Sequence, residues 1–383
     1  MAKVCSDERK SKIRESLAAT RAKRTKQVCR VFKVKIDSSK LTKKQKEQLK
    51  MMFVEAKWIK NSRIAWAREN NKSIFECKHP VKGEIIKIKN KDGEFEDRQL
   101  KYISIQVAQD VVDDMKSNLK TIITLTKKGL QCGGSLNFIR EMKALNLAQY
   151  GTTYKFLSSK KLKIQRISGL VYVNGAKQFY NNPDIEIASA KLLNTPKGYY
   201  LAITTFTSKD KLPKNNFNGK SIALDLGCST SITYSDGRKQ SILIEESEHL
   251  KRLQQKFARQ KKDSNNRNRT RKLLQRQYQK LTNKKNDAAN KVVAELKHYN
   301  CVVFQDEQLA KWQEDGHGRK IQHGILGRIK AKLKMMNNSI MLAATIPTTK
   351  ICMHCGKVHD VPLSQRTFKC SCGCIEDRDV HAA

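Results

Sequence analysis

The sequence predicts an α+β chain of several domains, and three observations carry that prediction. Hydrophobic residues make up 39% of 383 residues, enough to bury real cores over more than one domain. The apolar period changes along the chain, from near two around residues 31–36, to helical spacing over about a hundred residues, and back to short strands after residue 163. A second unit opens at Lys220 on a short apolar strand, and the last 32 residues hold five of the 11 cysteines.

Residues 1–28 are basic and rich in Ser, Thr and Arg without apolar periodicity, which predicts a mobile basic arm or a segment that depends on RNA for its order. Val31-Phe-Lys-Val-Lys-Ile36 alternates as a strand. Thr42-x-x-Gln45 has the form of a capping box, opening a long helix with Leu49, Met52, Phe53, Ala56 and Ile59 on one face. Ser104 caps a second long helix faced by Val107, Val111, Met115, Leu119 and Ile122, and Gly129 ends it. Asn137 to Gln149 reads as a third, shorter helix. Leu170 to Val173, followed by Asn174-Gly175, is a strand and turn, and Ile185–Leu193 and Tyr199–Phe206 flank a hairpin turn. The domain expectation is therefore a β domain from 29–40 and 160–210, a helical domain over 41–159 inserted in it, and a polar linker around Pro213 to Asn218.

The second unit, 219–383, starts with Ser221-Ile-Ala-Leu-Asp-Leu-Gly227 as a buried strand, and Ser231 to Tyr234 with Asp236-Gly237 continues it as a hairpin. Residues 246–299 read as two paired helices, Asn300 to Phe304 as another strand, and Ile325 to Leu342 as a basic amphipathic helix.

Charge narrows function. Lys and Arg number 77 against 36 Asp and Glu, a net +41. Such a chain repels itself unless an anion accompanies it, and nucleic acid is the partner this implies. A membrane surface fits less well, because the charge is spread over the whole chain and not on one amphipathic helix. No apolar run approaches the ~20 residues of a membrane span, and Met1 to Lys10 carries Asp7 and Glu8 without an apolar stretch. The expectation is a cytoplasmic protein, associated with the nucleoid when on DNA. Residues 251–290 hold 14 Lys and Arg against two acids, too one-sided for pairing along a helix, so this hairpin is read as tracking phosphates. The candidates there are Lys251, Arg252, Lys256, Arg259, Arg267, Arg269 and Arg271.

Acids are sparse, and three stand beside apolar segments. Asp225 lies inside a strand, where an Asp is disfavoured unless it pairs or binds metal. Glu307 follows Val302-Val-Phe-Gln-Asp306; by the period of two it shares a face with Gln305, and Asp306 points away. Asp379 lies near the last residue of the sequence, Ala383, which predicts a loosely held third acid. Several carboxylates sharing two Mg²⁺ are the equipment of two-metal phosphodiester hydrolysis, and Mg²⁺ prefers such hard oxygen ligands. Cys352-Met-His-Cys355-Gly356 is a C-x-x-C knuckle, and Cys370-Ser-Cys372-Gly-Cys374 follows it. Clustered cysteines in a reducing compartment point to structural Zn²⁺ at Cys352, Cys355, Cys370 and Cys372, with Cys374 competing for the last place.

These segments together resemble the TnpB family of transposon-encoded, RNA-guided DNA endonucleases, relatives of the type V CRISPR effectors. The resemblance rests on Ile222-Ala-Leu-Asp225-Leu-Gly227, Phe304-Gln-Asp-Glu307, the first cysteine knuckle, and Cys372-Gly-x-x-x-Asp-Arg-Asp379-x-x-Ala-Ala. Over 29–210 it rests only on the strand, helices, strand layout. It implies a RuvC-like nuclease domain of RNase H fold over 219–383, interrupted by a zinc ribbon at 349–376, and an N-terminal β-barrel-like wedge domain with an inserted recognition domain. It implies Asp225, Glu307 and Asp379 as the catalytic acids, a guide RNA and double-stranded target DNA as partners, and one copy on one guide. Gly318 to Lys330 resembles a family stretch after the second acid, which adds Arg319, Lys320 and Arg328 as nucleic-acid contacts. Two positions depart from the family pattern: Gln305 stands where many relatives carry the second acid, and His381 stands where they carry Asn. A nuclease-dead guided repressor and an unguided transposase or resolvase are the rival readings.

Overall fold

The computed structural model describes residues 7–90, 93–130, 136–212, 217–228, 230–362 and 364–383. The chain divides into two compact units, Met1–Leu212 and Pro213–Ala383. Pro213 and the asparagines at 215 and 216, expected in the linker, lie outside the described residues.

The first unit opens on helix α1 (Asp7–Thr25), followed by strand β1 (Gln27–Ile36). From Asp7 to Thr25 the basic arm is thus helical, a correction to the expected mobile segment, while residues 1–6 lie outside the described residues. Its end is tied down: Arg24 and Lys23 pair with Glu186, and the Arg24 guanidinium lies 3.5 Å over the Phe206 ring. Helix α2 (Lys43–Glu69) begins at Thr42 with both capping-box bonds in place, and Leu49, Met52, Ala56 and Ile59 on its inner face are fully buried. A hairpin of β2 (Ile85–Lys89) and β3 (Phe95–Gln99) precedes α3 (Ile105–Lys127), which is capped by Ser104 and closed by Gly129 at φ +76°. The inserted domain is therefore not wholly helical.

The short helix expected at 137–149 is instead strand β4 (Ala144–Leu147), because Leu145 and Leu147 alternate into the core at the edge of a sheet. Strands β5 (Tyr154–Ser158), β6 (Lys161–Ile164) and β7 (Val171–Asn174) follow, then a helical turn α4 (Lys177–Tyr180) and the long hairpin of β8 (Ile185–Thr195) and β9 (Gly198–Ser208). The sheet order is β4-β8-β9-β1-β7-β6-β5. Edge strand β5 reaches round to β8, next to the opposite edge strand β4: the Tyr154 hydroxyl donates to the Ala188 carbonyl at 2.7 Å, beyond the stretch of β8 that β4 pairs with, so the sheet nearly closes as a barrel. The chain returns to this sheet at 144, not 160.

The second unit is built on a mixed sheet of β10 (Ser221–Asp225), β11 (Ile232–Tyr234), β12 (Lys239–Gln240), β13 (Cys301–Gln305) and β14 (Ser339–Leu342), in the order β12-β11-β10-β13-β14. Strands β13 and β14 run parallel to β10 and β13 respectively, and β11 is antiparallel to β10. The crossover from β12 to β13 is the paired α5 (Glu248–Arg259) and α6 (Asn265–Leu296), as expected for 246–299. The crossover to β14 holds α7 (Leu309–Trp312), a π turn, α8 (Gly318–His323) and α9 (Leu326–Leu333). The single helix expected over 325–342 is thus a correction: α9 ends near Leu333, and Ser339–Leu342 leaves the helix to pair with β13. Leu224, Phe304, Ile329 and Leu333 share the core. A ribbon of β15 (Thr367–Lys369) and β16 (Ile375–Asp377) leads into α10 (Arg378–Ala382). Among the described residues, no helix is long and apolar enough to cross a membrane.

Candidate active site

Asp225 ends the central strand β10. Ile222 and Leu224 before it and Leu226 after it are buried in the core, so alternation turns Asp225 to the opposite face, with Thr233 of β11 across from it. In the parallel register, Leu224 stands beside Phe304, which brings the end of β13 level with the end of β10. There Asp306 and Glu307 part. Asp306 turns to α9, where Lys330 and Lys334 hold its carboxylate at 2.6 and 3.0 Å. Glu307 faces Asp225, and Lys330 also donates to the Glu307 carbonyl. Gln305 shares Glu307's cleft but is occupied, donating to the carbonyls of Ala343 and Ile346.

Asp379 arrives from the far end of the chain in the first turn of α10. The Asp377 side chain caps that turn, accepting from the backbone N–H of Asp379 at 3.0 Å and of Val380 at 3.2 Å, and Lys239 of β12 holds Asp377 at 2.7 Å. The expected loose third acid is therefore a capped and tethered one.

The three acids line one cleft of about 740 Å³, together with Trp312, His317, Arg366 and Arg378. Burial, with the charges of Glu307 and Asp379 added, pushes the Asp225 carboxyl up to about 7, while Arg378 opposes. Burial also raises Glu307, opposed by Lys330 and reinforced by Asp306. For a carboxyl raised this way, the charged form weighs against the metal-free fold, increasingly so as pH climbs from the ordinary carboxylate range through 7. A divalent cation relieves that penalty, so the donor set fits Mg²⁺.

The thiols make a tighter set. The ligand atoms of Cys352, Cys355, Cys370 and Cys372 all lie within 4.8 Å of one another, a spacing that no other group of Cys, His, Asp or Glu meets among the described residues. Cys352 and Cys372 are 3.6 Å apart and Cys355 and Cys370 3.5 Å, far beyond a disulfide and close to the ~3.8 Å edge of a tetrahedron with ~2.3 Å Zn–S bonds. Gly356, at φ +70°, lets the knuckle turn back so that its N–H donates to the Cys352 carbonyl. Cys374 is not among the four; it is buried with Phe368 and Val361 in the small core of the ribbon. The four-cysteine cluster suits a structural zinc.

The cationic candidates divide. Arg252, Lys256, Arg259, Arg269, Arg319 and Lys320 are exposed, and Arg271 is half-buried. Lys251 is exposed but pairs with Glu248. Arg267 and Arg328 have intramolecular work: Arg267 donates to the Gln260 carbonyl and lies 4.1 Å over the Phe257 ring, and Arg328 donates to Asn286 of α6. Sequence reasoning missed Lys330, because nothing in the order of residues reports that α9 packs beside the end of β13. It also gave no role to Arg378, although Asp377-Arg-Asp379 was in view.

A family model described as "Probable transposase" (OrfB_IS605) matches residues 204–305, and one described as the Cas12f1-like TNB domain matches 325–383. Each match covers less than a third of the chain, so two segments of the second unit are similar to these transposase and Cas12f1-like families. The first match contains Asp225 and the second contains the thiols and Asp379, while Glu307 falls between them. A Streptomyces pristinaespiralis protein named "Putative RNA-guided DNA endonuclease" is 27% identical to this chain over 173 residues, 42% of the chain and 43% of the relative. The alignment thus spans less than half of that relative's length. The protein chain in a Cas12f1–sgRNA–target DNA complex superposes with a TM-score of 0.39 at 13% identity, covering 72% of this chain and 70% of that one, a fit too loose to bear on function.

Proposed function

We propose that this chain is an RNA-guided DNA endonuclease whose second unit is a RuvC-like nuclease domain of RNase H fold. The observation that carries the reading is the convergence of Asp225, Glu307 and Asp379 on one cleft from three distant segments, with Asp306 turned away onto lysines. In this reading the three carboxylates hold two Mg²⁺. The chemistry such ions supply when bound is activation of the attacking water and stabilisation of the departing oxygen of a phosphodiester. The protein's own contribution is to hold the acids in place: β10 and β13 fix two of them, and the Asp377 cap fixes the third. Cys352, Cys355, Cys370 and Cys372 hold Zn²⁺, which gives the small ribbon a stability its core is too small to supply.

The curved sheet of the first unit is read as the wedge domain and the insert between β1 and β4 as the recognition domain. A guide RNA occupies the positive surface, pairs with one strand of target DNA, and leaves the protein to read duplex shape and a short flanking motif. Arg252, Lys256, Arg259, Arg269, Arg319 and Lys320 are the cations proposed to meet phosphates, with one chain per guide, in the cytoplasm of a prokaryotic cell. The test is cleavage of a supercoiled plasmid matched to the RNA that co-purifies with the protein, with Mg²⁺ present. Nicking or linearisation that depends on the match is expected. Matched binding without nicking favours a guided repressor, and cutting by protein free of RNA favours an unguided transposase.

A further inference from the structure

His381 stands two residues beyond Asp379, and neither the carboxylate cleft nor the thiol set uses it. Its side chain is fully buried. The ring stacks on Phe368, with centroids 3.7 Å apart and planes within 11°. Its Nε2 lies 2.8 Å from the Ile351 carbonyl; a carbonyl oxygen only accepts, so Nε2 carries the hydrogen and donates. On the other side of the ring, Nδ1 faces Glu376 at 3.7 Å.

The stacking partner and the hydrogen-bond acceptor of this ring both belong to the thiol ribbon. Ile351 immediately precedes Cys352, and Phe368 lies two residues before Cys370 on β15. Phe368 also packs edge-on against His359, whose Nε2 is 3.1 Å from the Cys370 sulfur. One chain of ring contacts, His359–Phe368–His381, therefore runs from a thiol ligand to the helix that carries the third acid. That helix is a single turn and a half, and a helix so short does not hold itself. The Asp377 cap fixes where it begins, and His381 is the residue that ties its far end to the ribbon.

We propose that His381 is a positioning residue that makes the place of the Asp379 carboxylate depend on the folded thiol ribbon. Occupancy of the thiol site then sets the affinity of the carboxylate cleft for divalent cations, although the two sites share no residue. The proposal rests on the reading of both sites given above.

Two variants approach the coupling from opposite ends, in the full chain with its co-purifying RNA. His381→Ala leaves the four thiols intact, and Cys372→Ser breaks the thiol set while leaving His381. Binding of Mn²⁺ is followed by its paramagnetic resonance signal, and amide hydrogen exchange is followed over residues 379–382. Both variants are expected to weaken Mn²⁺ binding by about tenfold or more and to speed that exchange, while His381→Ala retains its zinc by metal analysis. His381→Gln, which keeps a donor toward Ile351, is expected to recover part of both. Mn²⁺ affinity and exchange within about twofold of the parent in both variants would overturn the proposal, as would a Gln variant no better than Ala. Mn²⁺ binding in the parent that ignores Asp225→Asn would overturn the carboxylate reading instead, and the exchange comparison would still decide the role of His381.

Discussion

Two adjacent acids, Asp306 and Glu307, meet opposite fates within one peptide unit. Alternation beyond β13 sends Glu307 into the cleft and Asp306 onto Lys330 and Lys334. Replacing Glu307 with Gln should therefore lower guide-matched cleavage by more than about 100-fold, whereas Asp306→Asn, which loosens only the support, should cost about tenfold or less. Single-turnover cutting assays compare the two directly, and equal losses would contradict the face assignment. Face parity made this choice legible in sequence; the lysines that enforce it were not, because they come from a helix more than twenty residues away. The raised carboxyl of Asp225 makes a second prediction. Below about pH 7 a proton competes with the cation there, so Mg²⁺ affinity should fall by up to about tenfold per pH unit as pH drops. In the metal-free protein the sign reverses: Asp225→Asn should raise stability at pH 8, by at most about 4 kcal/mol, and change little near pH 4. Thermal melts at the two pH values check it.

Elements were legible where a local signal and the core agreed. The Thr42 capping box and the Ser104 cap marked α2 and α3, and their apolar faces are the buried ones. Elements failed where pairing overrode the local pattern. Residues 144–147 and 339–342 are short apolar runs of the kind that periodicity alone does not separate from helix, and both were taken into sheets by neighbouring strands. The basic α1 failed for the opposite reason: it has no apolar face to detect, and Ile13 and Leu17 remain exposed. One buried charge was also out of reach of sequence. Glu55 in α2 is 1% exposed and accepts the backbone N–H groups of Lys101, Tyr102 and Ile103 at 2.7–2.9 Å, fixing the entry to α3. Glu55→Ala leaves these three donors unmet and should destabilise the first unit by roughly 2–4 kcal/mol in denaturant titrations. In the ribbon, Cys374→Ser should keep one zinc per chain and Cys372→Ser should lose it, since only Cys372 is in the thiol set. Metal analysis of the two proteins separates them.

On the scale of the whole molecule, the net charge of +41 first implied only an anionic partner. The structure distributes that charge over two separate units, each with its own core, and removes Arg267 and Arg328 from the set free to meet phosphate. A bound polyanion is then expected to be part of the stable particle, and digestion of the co-purifying RNA should lower the melting temperature and promote aggregation at low salt. The central claim, that the acid cleft cuts DNA chosen by a bound RNA, is tested most directly with Asp225→Ala. Protein and variant are purified with their RNA, and each is given a supercoiled plasmid carrying the matched target and Mg²⁺. The variant is expected to keep its RNA and its target binding while cleavage falls to background. Cleavage by Asp225→Ala at the parent rate would contradict it.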